Sequence, residues 1–186
     1  MSTSVAHGLK VPEGLIVLYS ALLLFSLLLA PLLAQLRGWR PAGLFFAVAA
    51  VYGVFGAVNL APPQISQIAF QGTINVGSHG RFFISIGIAM AVFGAITWVQ
   101  ARFGAMLYPT LTKILFWVLH IALMGITSFQ AVFAFLQLKP LRYIDYAKFL
   151  KTHVVIISWS GPLSHAALLG LLCLLLWSIM AKRLLR

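Results

Sequence analysis

Residues 153–181 read HVVIISWSGPLSHAALLGLLCLLLWSIMA, a stretch without a single Asp, Glu, Lys or Arg, closed off by Lys182 and Arg183. About 20 predominantly apolar residues cross a bilayer core of about 30 Å when helical. This segment therefore reads as a membrane-spanning helix, and the same reading extends outward over the chain. Apolar runs of similar length lie at about Gly14–Leu36, Pro41–Leu60, His79–Ala101 and Thr110–Leu138, with almost all the charge gathered between them. Hydrophobic residues make up 62% of the 186 and charged residues only 8%, against about 25% charged in a soluble domain. The expected fold class is all-α, an integral membrane bundle of about five transmembrane helices in one domain, residues 1–186. Pro31 and Pro162 fall inside runs and predict kinks. The tight turn at Trp39-Arg40-Pro41 makes the first two helices antiparallel neighbours.

The net charge of +11 would suggest nucleic acid in a soluble chain. Here the basic residues sit at the ends of apolar runs, where they set topology and meet anionic lipid, so no nucleic-acid partner is expected. The first run lacks an Ala-x-Ala-like site and is too long for a signal peptide's apolar core, so it reads as a retained helix. Cys173, the single cysteine, lies within the last run and excludes an intrachain disulfide or a thiol metal site.

Arg37, Arg40, Arg102, Lys182, Arg183 and Arg186 fall on one side of the bundle, whereas residues 61–78 on the other carry no charge. Lys139, Arg142, Lys148 and Lys151 oppose this bias, partly balanced by Asp145. The positive-inside rule then places the C-terminus in the cytoplasm, in a multi-pass protein of a bacterial inner membrane.

Function has to be sought in the polar residues carried into lipid. Glu13 and Asp145 are the only acidic side chains, and both lie outside the spans. That excludes paired acid/base chemistry and argues against a proton-coupled transporter. There is no phosphate-cradling Gly loop with its Lys and no His-Glu-x-x-His. Histidine is the remaining chemistry. His79 opens the third helix, His120 lies near the middle of the fourth, His153 begins the fifth, and His165 is about three turns deeper. A neutral imidazole in an apolar slot can ligate haem iron. Gly80, Gly87 and Gly94 recur every seven residues and would leave room for a porphyrin. The same spacing serves close helix packing, and an interhelical hydrogen bond accounts for His120 or His165 without iron.

Several patterns occur in order along the chain: Asn59-Leu60, Gln71-Gly72-Thr73, His79-Gly80-Arg81, Phe116-Trp117 with Leu123-Met124, and Tyr143, Tyr146-Ala147 and Phe149. From about Pro41 onward, roughly three quarters of the chain, this order resembles the C-terminal third of the large subunit of bacterial nitric oxide reductases, within the haem-copper oxidase superfamily. The resemblance maps the family's last five helices onto these five. It implies that His79 matches the histidine binding the active-site haem. The partner histidine that binds the electron-transfer haem is replaced by Arg81, which has no lone pair for iron but can pair with a haem propionate or a phosphate. Gln71 replaces the histidine of the family's His-Gly-Thr. The helices supplying the second metal's ligands have no counterpart.

The resemblance thus implies a subunit of a respiratory terminal reductase complex, not catalytic alone. It is either one part of a split catalytic subunit or a degenerate scaffold, and Arg81 and Gln71 favour the scaffold. Its partners would be other membrane subunits and the lipid bilayer, and its cofactor haem b or none. Two alternatives come from other classes. One is a membrane cytochrome b, with His79 and His153, or His120 and His165, as axial pairs. The other is a cofactor-free subunit that stabilises a larger membrane enzyme.

Overall fold

The computed structural model describes residues 13–60, 76–136 and 143–184. They form five helices: α1 (Glu13–Leu36), α2 (Pro41–Leu60), α3 (Val76–Arg102), α4 (Pro109–Leu136) and α5 (Tyr143–Leu184). The described residues contain no strand. Four helices hold stretches long and apolar enough to cross a membrane: Pro41–Val58, Gly80–Arg102, Pro109–Thr127 and Val154–Lys182. The corresponding stretch of α1, Ala21–Leu36, is shorter. Its whole helix of 24 residues still rises about 36 Å. The protein is an all-helical membrane protein.

The helices start and stop where local chemistry requires. Pro41 and Pro109 open α2 and α4, where a missing N–H has no intrahelical acceptor to lose. Gly38 and Gly104 sit at φ +69° and +61° just past α1 and α3. There the Trp39 and Ala105 amides reach back to the carbonyls of Ala34 and Gln100 at 3.0 and 2.7 Å, a Schellman ending. One boundary departs from expectation. Residues 143–152, expected as a connection, are helical and extend α5 toward its N-terminus. They hold no Gly or Pro to stop the helix, so it continues past the apolar stretch.

Side-chain burial in lipid brings little hydrophobic gain, so close packing holds the bundle. The closest pair is α2 with α3, followed by α4 with α5. α1 leans on both α2 and α4, whereas α3 and α5 barely touch. Phe45 of α2 joins three helices, with ring centroids 5.8 Å from Phe93 on α3 and 4.9 Å from Phe116 on α4. Its neighbours Leu27, Leu44, Val48, Tyr52, Phe83 and Met90 fill the centre. The glycine stripe of α3 is covered by α2. A Cβ on Gly87 would stand 3.2 Å from the Ala49 carbonyl oxygen and the Gly53 nitrogen, and one on Gly94 would meet the Phe46 ring. These glycines serve helix packing, and the slot their spacing suggested is filled.

Arg37, Arg40, Arg102 and Lys182 gather at one end of the bundle. Lys182 Nζ donates to the Phe103 carbonyl, and Trp117 Nε1 near the start of α4 donates to Gln35 Oε1 near the end of α1.

Candidate functional site

His120 is fully buried, and its position follows from a proline on another helix. Pro31 has no N–H, so the carbonyl four residues earlier, Leu27, loses its intrahelical donor. His120 Nε2 lies 2.8 Å from that carbonyl oxygen. A carbonyl only accepts, so Nε2 carries the proton and Nδ1 holds the lone pair. The ring stacks on Phe116 at 5.7 Å and 12°, with Trp117 edge-on at 5.9 Å. Nδ1 is enclosed and finds no hydrogen-bond partner among the described residues. The imidazole is a cross-link between α1 and α4.

His165 has the opposite arrangement. Its Nδ1 lies 2.8 Å from the Gly161 carbonyl oxygen one turn earlier, so Nδ1 is the donor and the neutral ring keeps its lone pair on Nε2. The ring is exposed on the bundle and lines a groove of about 370 Å³ between α3, α4 and α5. Ser85 and Ser164 share this groove with Phe82, Met90 and Leu123. Both hydroxyls spend their protons on their own helices, Ser85 on the Arg81 carbonyl at 2.9 Å and Ser164 on the Gly161 carbonyl at 2.8 Å. The polar face of the groove therefore offers lone pairs: two hydroxyl oxygens and one imidazole nitrogen, set among apolar walls. Such a face can accept hydrogen bonds from a donor placed in the groove.

The groove exists because α3 and α5 are tied at one end. Gln100 Nε2 donates across to the Leu175 carbonyl at 2.8 Å, next to the Lys182–Phe103 contact. Beyond that clamp the two helices share few contacts. Gln100 was not among the residues singled out from the sequence, although an amide on an apolar helix is a signal of such a tie.

The remaining sequence candidates are distributed as follows. His79 lies on the first turn of α3 and His153 on α5, but the side chains of both fall outside the described residues, as does Gln71. Arg81 is exposed and has no ion pair among the described residues. His120 faces α1 and His165 faces the α3–α5 groove, so the described contacts of the two rings do not overlap. Among the described residues, no three His, Cys, Asp or Glu side chains gather as a metal site. No protein-family model matches the chain and no solved structure matches it, so the functional reading rests on the order of its motifs and the chemistry of the His165 groove.

Proposed function

We propose that this chain is a scaffold subunit of a respiratory terminal reductase complex of the nitric oxide reductase and haem-copper oxidase type, with a neighbouring membrane subunit packed into its α3–α5 groove. The observation that carries the subunit reading is the groove itself. Two acceptors at membrane depth, Ser85 Oγ and His165 Nε2, are exposed along the groove, with the buried Ser164 lining it behind them. Polar groups left open to hydrocarbon are costly, and a partner helix carrying hydroxyl or amide donors would satisfy them. The respiratory assignment rests on the motif order, and the scaffold role on Arg81 and Gln71 standing where the family has histidines. The basic end faces the cytoplasm of a bacterial inner membrane in this reading.

The tautomer of His165 favours one second reading, a haem-binding electron-transfer subunit. A carbonyl on Nδ1–H with a free Nε2 is the arrangement of a metal-ligating imidazole. In that case His165 would hold the iron, Phe82 and Met90 would wall the ring, and the haem would supply one-electron transfer.

Reduced-minus-oxidised spectra with pyridine haemochrome quantification distinguish the two, on the gently purified native complex and on the chain alone. The scaffold reading expects a colourless chain inside a coloured complex. It also expects His165→Phe to release the chain from the haem-bearing subunit. Haem retained by the isolated chain and lost in His165→Phe or His79→Ala would overturn it in favour of electron transfer.

A further inference from the structure

We propose a binding site for the headgroup of an anionic phospholipid at the basic end of the bundle, in the cavity of about 550 Å³ between the α1–α2 turn and the last turn of α3. Arg40 and Arg102 line this cavity together with Trp39, Trp98, Gly43 and Phe46. It is separate from the His165 groove and does not depend on that groove's function.

Charge is the first argument. The sequence contains two carboxylates, Glu13 and Asp145, which lie at the starts of α1 and α5. Arg40 follows the far end of α1, a helix of 24 residues and so about 36 Å long. Asp145 is similarly separated from the α3 C-terminus by the length of α5, whose other end carries Lys182 against Phe103. Exposed charges are screened beyond about 8 Å at physiological salt, so neither acid reaches the arginines. Lys182 already has a carbonyl acceptor. Arg40 and Arg102 are exposed and converge on one cavity, and no acidic side chain among the described residues meets them. The N-terminal end of α2, which begins at Pro41, adds its positive dipole end on the same side.

Shape is the second argument. Trp39 folds back over Gly43, where a Cβ would come within 2.7 Å of its ring, and the Phe46 ring lies over Gly94, where a Cβ would come within 2.9 Å. The two glycines let both rings approach the helix backbones closely as an apolar floor. Trp98 stands beside them, 56% exposed. Tryptophans of this kind settle at the headgroup level, and basic pockets between helices bind anionic headgroups. A guanidinium fork matches a phosphate's oxygens in two parallel hydrogen bonds. The phosphate would sit between Arg40 and Arg102, and the acyl chains would run down past Phe46 into the bilayer.

The test reconstitutes the full chain in phosphatidylcholine vesicles containing a minor fraction of phosphatidylglycerol, with the bromine quencher carried by one lipid or the other. Tryptophan quenching then reports which lipid occupies the annulus. Wild-type protein is expected to show quenching by brominated phosphatidylglycerol well above its bulk fraction. The Arg40→Gln/Arg102→Gln variant, checked for unchanged helix content by circular dichroism, is expected to lose about tenfold of that preference. Arg37→Gln, at the same end but outside the cavity, is expected to keep it. Equal loss in Arg37→Gln would reduce the effect to diffuse charge and overturn the site. So would an unchanged preference in the double variant, or displacement by millimolar inorganic phosphate, which would mark a site for the free ion.

Discussion

Replacing His120 with phenylalanine is expected to destabilise the bundle by about 1–3 kcal/mol, the cost of leaving a buried acceptor unpaired, and replacing Pro31 with alanine is expected to remove most of that penalty. Phenylalanine keeps a planar ring of similar volume for the stack on Phe116 at 5.7 Å, so the substitution isolates the hydrogen bond. Side-chain hydrogen bonds in membrane proteins average about 0.6 kcal/mol, because the competing state usually finds another partner. This one is expected to exceed that average. The Leu27 carbonyl has no intrahelical donor below Pro31, His120 is wholly buried, and no water is available in a bilayer core to replace Nε2. Alanine at position 31 restores an N–H to Leu27, and the carbonyl no longer needs the imidazole. Unfolding in mixed detergent of wild type, both single variants and the double variant measures the coupling. A His120→Phe penalty equal in both backgrounds would show that the proline and the histidine are independent.

That pair also marks how much of the molecule is readable in one dimension. Pro31 inside an apolar run announces a freed carbonyl at Leu27, and His120 at mid-depth announces a donor. The sequence does not show that they meet, because that depends on α1 leaning against α4. The spans themselves were readable because lipid excludes charge, and α2 begins and ends at the expected residues. α5 exceeds its expected N-terminal limit by ten residues, Tyr143 against His153. Asp145, Lys148 and Lys151 read as a connection because hydropathy detects the membrane, not the helix continuing beyond it. For the candidate site, histidine is the residue type that the sequence singles out. What separated a cross-link at His120 from an open lone pair at His165 was the partner of a single ring nitrogen, which only packing determines. The groove beside His165 had no linear signal, since it arises where α3 and α5 diverge beyond the Gln100–Leu175 tie.

Gly56→Ala should be among the most damaging single methyl additions at the described glycines, whereas Gly53→Ala, one turn earlier on the same helix, should be neutral or stabilising. A Cβ at Gly56 would stand 2.6 Å from Ile84 Cγ1, 2.9 Å from the Ile84 nitrogen and 3.2 Å from the Gly80 carbonyl oxygen. Two of those atoms are backbone, so the strain cannot be relieved by turning a side chain, and α2 must move off α3. Overpacking of this kind costs about 1–3 kcal/mol. It is opposed by about 0.8–1 kcal/mol from the better helix propensity of alanine. At Gly53 nothing lies within 4 Å of the added Cβ, and only the propensity gain remains. Lipid supplies no hydrophobic drive to push the helices back together, so a wedge at Gly56 acts on the whole α2–α3 contact. The groove should change with it, because Phe82, Ser85 and Met90 on α3 form one of its walls. Cysteines placed at Phe82 and Leu168 across the groove, in a Cys173→Ser background, would report that shift as an altered crosslinking rate. Equal stability for Gly56→Ala and Gly53→Ala would mean that α2 and α3 are not held at backbone contact there, and the groove wall would then have to be fixed by something other than that pairing.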